Sequence, residues 1–118
     1  MSESKASREW LFYVDDMIGF SEKVVLFTHD MNQPAFESDV LRFDATLRNL
    51  ELIGEAATHI PSDIRLAYAD IPWRMLIALR NQLIHGYLGI DNDILWSIVE
   101  LDVPALLSKL RLLKSQQS

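Results

Sequence analysis

Ile71-Pro72-Trp73-Arg74-Met75-Leu76-Ile77-Ala78-Leu79-Arg80-Asn81-Gln82-Leu83-Ile84-His85-Gly86-Tyr87 has the marks of a single helix, start and stop included. Pro72 stands in the first turn, where its missing N–H costs nothing, an apolar run follows, and Gly86 stands where glycine commonly ends a helix. The expected span is Pro72 to about His85. Near its C-terminal end the sequence sets a guanidinium, an amide, an imidazole and a phenol, at Arg80, Asn81, His85 and Tyr87. Polar groups in an apolar helix cost stability unless something uses them. Arginine stays charged at any relevant pH and presents a planar fork of donors that matches phosphate. Histidine, with an ordinary pKa of about 6.5, gives and takes protons near neutrality. Together they form a minimal kit for phosphodiester chemistry without a metal.

Helix geometry limits what one copy can do. Asn81 and His85 are four apart and share a face, whereas Arg80 and His85 are five apart and point about 140° away from each other. Either the helix loosens before Gly86, or the groups meet their counterparts from a second copy across a twofold axis. The second arrangement is the expectation.

Outward from this stretch, the chain reads as helices throughout, with no convincing strand. Ser7 caps a first helix running to about Thr28, in which Trp10, Tyr13, Val14, Met17, Phe20, Val24 and Phe27 recur at three- and four-residue steps. His29 to Pro34 is expected as a turn, and a long second helix from about Glu37 to His59. Pro61-Ser62-Asp63 ends it and starts a short helical turn through Ala67. Gly86, Gly89, Asp91 and Asp93 supply a loop and cap for a last helix, about Ile94 to Ser115, which Pro104 should kink. The tail Ser115-Gln116-Gln117-Ser118 is expected to fray. Short connections between such helices favour an all-α, up-and-down bundle of four main helices.

The 118 residues suit one domain, residues 1–118, with 49% hydrophobic residues to build its core. Having no cysteine, the chain has no disulfide framework, thiol nucleophile or Cys-based metal site. Met1-Ser2-Glu3-Ser4-Lys5 lacks an apolar leader region, and no window approaches the roughly 18 apolar residues of a membrane span. The expectation is a soluble cytoplasmic protein. A net charge of −6 argues against broad nucleic-acid affinity, which rests on neutralising phosphates. Net charge says nothing of local fields, however, and Arg65, Arg74 and Arg80 are expected around the candidate site.

Structural roles compete for several of these residues. His85 could simply complement a helix dipole, Arg80 could pair with Glu55, and Asn81 could cap backbone or orient His85. Gly54 reads as a close-packing residue with Glu55 beside it to orient an arginine. Trp10, Trp73 and Trp96 read as core. His29 and His59 lie at helix ends, far in sequence from the motif and without metal-ligand spacing. Asp15 and Asp16 resemble a solvated face, and Asp91 and Asp93 a helix cap; no metal or other cofactor is expected.

Arg80, four residues, His85, one residue and Tyr87 resemble the Arg-x4-His-x-Tyr motif of the HepT ribonuclease toxins, within the HEPN superfamily of small helical proteins. Leu50-Glu51-Leu52-Ile53-Gly54-Glu55-Ala56-Ala57 is similar to that family's Ile-Gly-Glu-Ala helix, and Ile71-Pro72-Trp73 to its Ile-Pro-Trp helix start. Ile90-Asp91, Trp96 and Asp102-Val103-Pro104 are similar to its last helix, so the resemblance runs from about residue 8 to 113. It implies a HEPN-like homodimer acting as the toxin of a type II toxin-antitoxin system, a metal-independent endoribonuclease with RNA as substrate. Arg80 and His85 would be catalytic and Asn81 auxiliary. Tyr87 would be the residue to which an MntA-like nucleotidyltransferase antitoxin adds AMP. The competing expectation is a non-catalytic nucleotide-binding or regulatory subunit of a nucleotidyltransferase.

Overall fold

The computed structural model describes residues 8–86 and 89–117. Among them the backbone is helical and contains no strand. The helices are α1 (Trp10–Thr28), α2 (Gln33–Ser38), α3 (Val40–Ala57), α4 (Ser62–Ala67), α5 (Trp73–Gly86), α6 (Asn92–Ser97) and α7 (Val103–Ser115), with a π-helical turn, Ile98–Asp102, between the last two.

Four long elements carry the bundle. α1 and α3 pack along each other, α5 lies against α3, and α7 lies against α1. Cross-helix contacts fix the directions. The start of α1 meets the end of α3 through Tyr13 and His59, and Arg42 near the start of α3 reaches Asp30 just past α1. Lys114 and Arg111 of α7 pair with Asp15 and Glu22 of α1. The α1–α3 and α1–α7 pairs are therefore antiparallel, in keeping with the up-and-down order expected of short connections.

The apolar periodicity of each helix becomes the core. Val14, Met17 and Val24 of α1, Leu50, Ile53 and Ala57 of α3, Leu76 and Leu79 of α5, and Leu106, Leu110 and Leu113 of α7 are all buried. A fully buried side chain of Leu or Val size contributes about 1.5–3 kcal/mol, so this seam holds the bundle. Trp10, Trp73 and Trp96 are core residues, as the pattern predicts.

Two stretches depart from the expected boundaries. The segment expected as a turn followed by one helix from Glu37 is instead two helices meeting at Asp39. Asn32 Oδ1 accepts from the Ala35 N–H at 3.0 Å and caps α2, with Pro34 in its first turn. Asp39 leaves the helical region (φ −93°, ψ 89°), and its carboxylate accepts from the Arg42 N–H to start α3. An aspartate that caps competes with one that continues a helix. The last helix is interrupted at its proline, as predicted, but by a π turn: the Val103 N–H donates to the Ile98 carbonyl, five residues back. That widened turn accommodates Pro104, which has no N–H and whose ring crowds the carbonyl four residues earlier.

The expected Ser7 cap lies outside the described residues. At the other end, Gln116 closes α7 through its backbone N–H, and Gln117 Nε2 donates to the Tyr68 hydroxyl at 2.9 Å, so these two residues are anchored rather than frayed.

Candidate active site

The site begins with a missing side chain. A Cβ on Gly54 would collide with the Cβ of Arg80 and the carbonyl oxygen of Leu76, so glycine lets α5 approach α3 at this crossing. Arg80 therefore leaves α5 directly against α3, and Glu55 is the next residue along. Arg80 Nη2 donates to Glu55 Oε1 at 2.6 Å, a short charge-assisted bond. Arg80 Nη1 donates to Asn81 Oδ1 at 3.0 Å, and its Nε is buried without a partner among the described residues. The two charged side chains stay 30% and 46% exposed. Solvent reaches both partners and screens the pair, which also fixes where the guanidinium sits.

Glu55 has a second neighbour. Its Oε2 lies 3.5 Å from His59 Nε2, and the His59 ring stacks on Tyr13 with centroids 4.3 Å apart and planes 9° from parallel. The sequence set His59 aside because it is remote from Arg80 along the chain. One helical turn places it beside Glu55, and the α1–α3 packing supplies Tyr13. The one signal that could have found it was the four-residue Glu55–His59 spacing.

His85 occupies the last turn of α5, exposed, with no hydrogen-bond or ion-pair partner among the described residues. The helix runs unbroken through it to Gly86, whose φ of +139° glycine adopts without strain. A loosened helix end therefore does not bring His85 round to Arg80, and the two still face about 140° apart. Asn81 uses its carbonyl oxygen on Arg80. Tyr87 lies outside the described residues.

The expected gathering of three arginines does not form. Arg65 donates to the carbonyls of Ile60 and Ala57 at 3.0 and 3.1 Å and closes the end of α3. With Arg74 it lines a separate cleft of about 480 Å³ between α4 and the start of α5. No group of three or more His, Asp or Glu among the described residues is arranged to hold a metal ion, and none of the described helices is long and apolar enough to cross a membrane.

A family model described as Ribonuclease HepT-like matches residues 17–113, which include the α3–α5 crossing and the whole of the polar motif. The chain belongs to the HepT-like ribonuclease family. It is 37% identical over 101 residues to "Putative RNase MJ1380" of Methanocaldococcus jannaschii, covering 86% of this chain and 93% of that protein. It is 36% identical over 102 residues to "Probable ribonuclease HepT" of Thermococcus cleftensis, again covering 86% and 93%. No solved structure matches it. Membership makes this HepT-like chain an RNA-cleaving enzyme, and the all-α bundle is the fold expected of it.

Proposed function

We propose that this HepT-like chain is a metal-independent endoribonuclease, the toxin of a cytoplasmic toxin-antitoxin pair, whose active site is completed by a second copy of itself. The observation that carries the proposal is the contrast within α5. Arg80 is held in position by Glu55 and Asn81, while His85 stands exposed in the same helix's last turn on a different face. A twofold axis near the end of α5 would bring the His85 of one copy toward the Arg80 of the other.

In that shared cleft the His85 of one copy takes the proton of the ribose 2′-hydroxyl as that oxygen attacks the phosphorus, and the leaving 5′-oxygen takes its proton from water. Arg80 stabilises the charge that grows on the phosphorane, commonly the largest single contribution to such catalysis. Asn81 holds one terminal nitrogen of Arg80 and Glu55 the other. The reaction needs the 2′-hydroxyl, so RNA is cut into fragments with cyclic phosphate ends and DNA is spared.

Control is assigned to Tyr87, two residues from His85. AMP added there by an MntA-like nucleotidyltransferase would bring phosphate charge and bulk to the cleft, repelling and blocking RNA. Tyr87→Phe should stay toxic in cells that express the antitoxin; silencing of that variant would rule out tyrosine modification as the essential switch.

Cleavage of RNA and of matched DNA by the unmodified protein in EDTA tests the catalytic reading. RNA is expected to be cut, with activity lost in Arg80→Ala and in His85→Ala. No cleavage by protein whose intact mass shows a bare Tyr87, together with saturable ATP or AMP binding by titration calorimetry, would favour a nucleotide-binding regulatory subunit instead.

A further inference from the structure

The contacts around Arg80 form a line across three helices: Tyr13 of α1 stacks on His59, His59 faces one oxygen of Glu55, and the other oxygen of Glu55 accepts from Arg80 of α5. We propose that Glu55 is a positioning residue for Arg80, itself held by His59 on Tyr13. The inference rests on the ribonuclease reading of Arg80.

Charge and geometry both support it. A carboxylate beside a phosphate-binding guanidinium repels the incoming RNA, so its presence there weakens substrate affinity. The pair is only part-buried, with side chains 30% and 46% exposed, so solvent weakens what it adds to the fold. What it does supply is direction. Arginine has five N–H donors; here Nε is buried, one Nη2 donor is given to Glu55 and one Nη1 donor to Asn81. One N–H on each terminal nitrogen is left to donate to phosphate oxygens. A long side chain fixed in this way needs no reordering when charge develops on the phosphorane.

His59 and Tyr13 limit the movement of Glu55. A free glutamate would swing among rotamers, whereas here each carboxylate oxygen has a neighbour and the plate formed by His59 is backed by a second ring. Removing either ring should therefore act on Arg80 only through Glu55.

The test is steady-state RNA cleavage by the full-length protein, with kcat and KM resolved for Glu55→Ala, Glu55→Gln, His59→Ala and the double variant Glu55→Ala/His59→Ala. Arg80→Ala serves as the control, and folding is checked for each variant. Glu55→Ala is expected to lower kcat by about tenfold or more while KM stays the same or falls, because a repelling charge has gone. Glu55→Gln, which keeps the acceptor and the shape, should recover part of the lost kcat. His59→Ala should lower kcat by a few-fold in the native background and by nothing further in Glu55→Ala, the non-additivity of residues acting in series. A purely structural Glu55 would lower the active fraction and leave both constants of the folded enzyme alone. Wild-type kcat in both Glu55 variants, with Arg80→Ala inactive, would overturn the positioning role and leave the ribonuclease reading intact. Full cleavage by Arg80→Ala would overturn that reading and the positioning role with it.

Discussion

Arg65 and Arg80 both reach back to the C-terminal part of α3, yet their partners differ in kind. Arg65 gives its donors to the main-chain carbonyls of Ala57 and Thr58, groups that a helix end leaves without partners, and to that of Ile60 just beyond. Arg80 gives its donors to the side chains of Glu55 and Asn81, and its Nε has no partner among the described residues. Backbone carbonyls are neutral and fixed, so Arg65 finishes a helix. Side-chain acceptors hold a guanidinium in place and leave donors for something else. The kind of acceptor, rather than the presence of an arginine in an acidic chain, separates a residue of the fold from a residue of the proposed site.

That contrast can be broken by substitution. The largest effect is expected at Arg80→Ala: cleavage should fall by about 100-fold or more, with a melting temperature close to the parent's. Next comes Gly54→Ala, where the added methyl meets the Leu76 carbonyl as well as Arg80. Overpacking of this kind costs about 1–3 kcal/mol, and because it pushes α5 from α3 it should lower both the denaturation midpoint and cleavage. Arg65→Ala should show the smallest functional effect. It is expected to lose about 1–2 kcal/mol of stability by leaving carbonyls of α3 unpaired, read in urea denaturation, with cleavage per folded molecule unchanged. A stable but inactive Arg65→Ala would mean that its cleft takes part in catalysis and that the contrast is false.

Most of the fold was legible because it rests on apolar periodicity. Val14, Met17 and Val24, or Leu50 and Ile53, recur at helical steps, and burial follows from the pattern. The break at Asp39 was missed because apolar residues continue at helical spacing on both sides of it. Its signal was a capping residue, and the rule that welcomes proline in a first turn, applied to Pro72, applied equally to Pro34. Pro104 announced a disturbance, but no sequence pattern distinguishes a kink from the one-residue widening of a π turn.

The site was legible to a lesser degree. Gly54, Glu55 and Arg80 were readable as a close-packed crossing with an ion pair, and the structure joins them. Tyr13 and His59 could not be joined to it from the sequence, since their stacking depends on how α1 lies along α3. The expected grouping of Arg65 and Arg74 with Arg80 failed for a geometric reason. Arg74 is six positions before Arg80, about 9 Å along the helix and about 120° round it, and Arg65 is occupied by the end of α3.

The central claim is that Arg80 of one copy works with His85 of another, and subunit mixing tests it most directly. Arg80→Ala and His85→Ala proteins, each inactive alone, are unfolded together, refolded as a mixture and assayed on RNA in EDTA. Mixed dimers contain one intact Arg80 and one intact His85 on different chains, so cleavage well above that of either variant alone is the expected result. A mixture that forms mixed dimers by mass and stays inactive would contradict the account, because it would require both groups to act from the same chain.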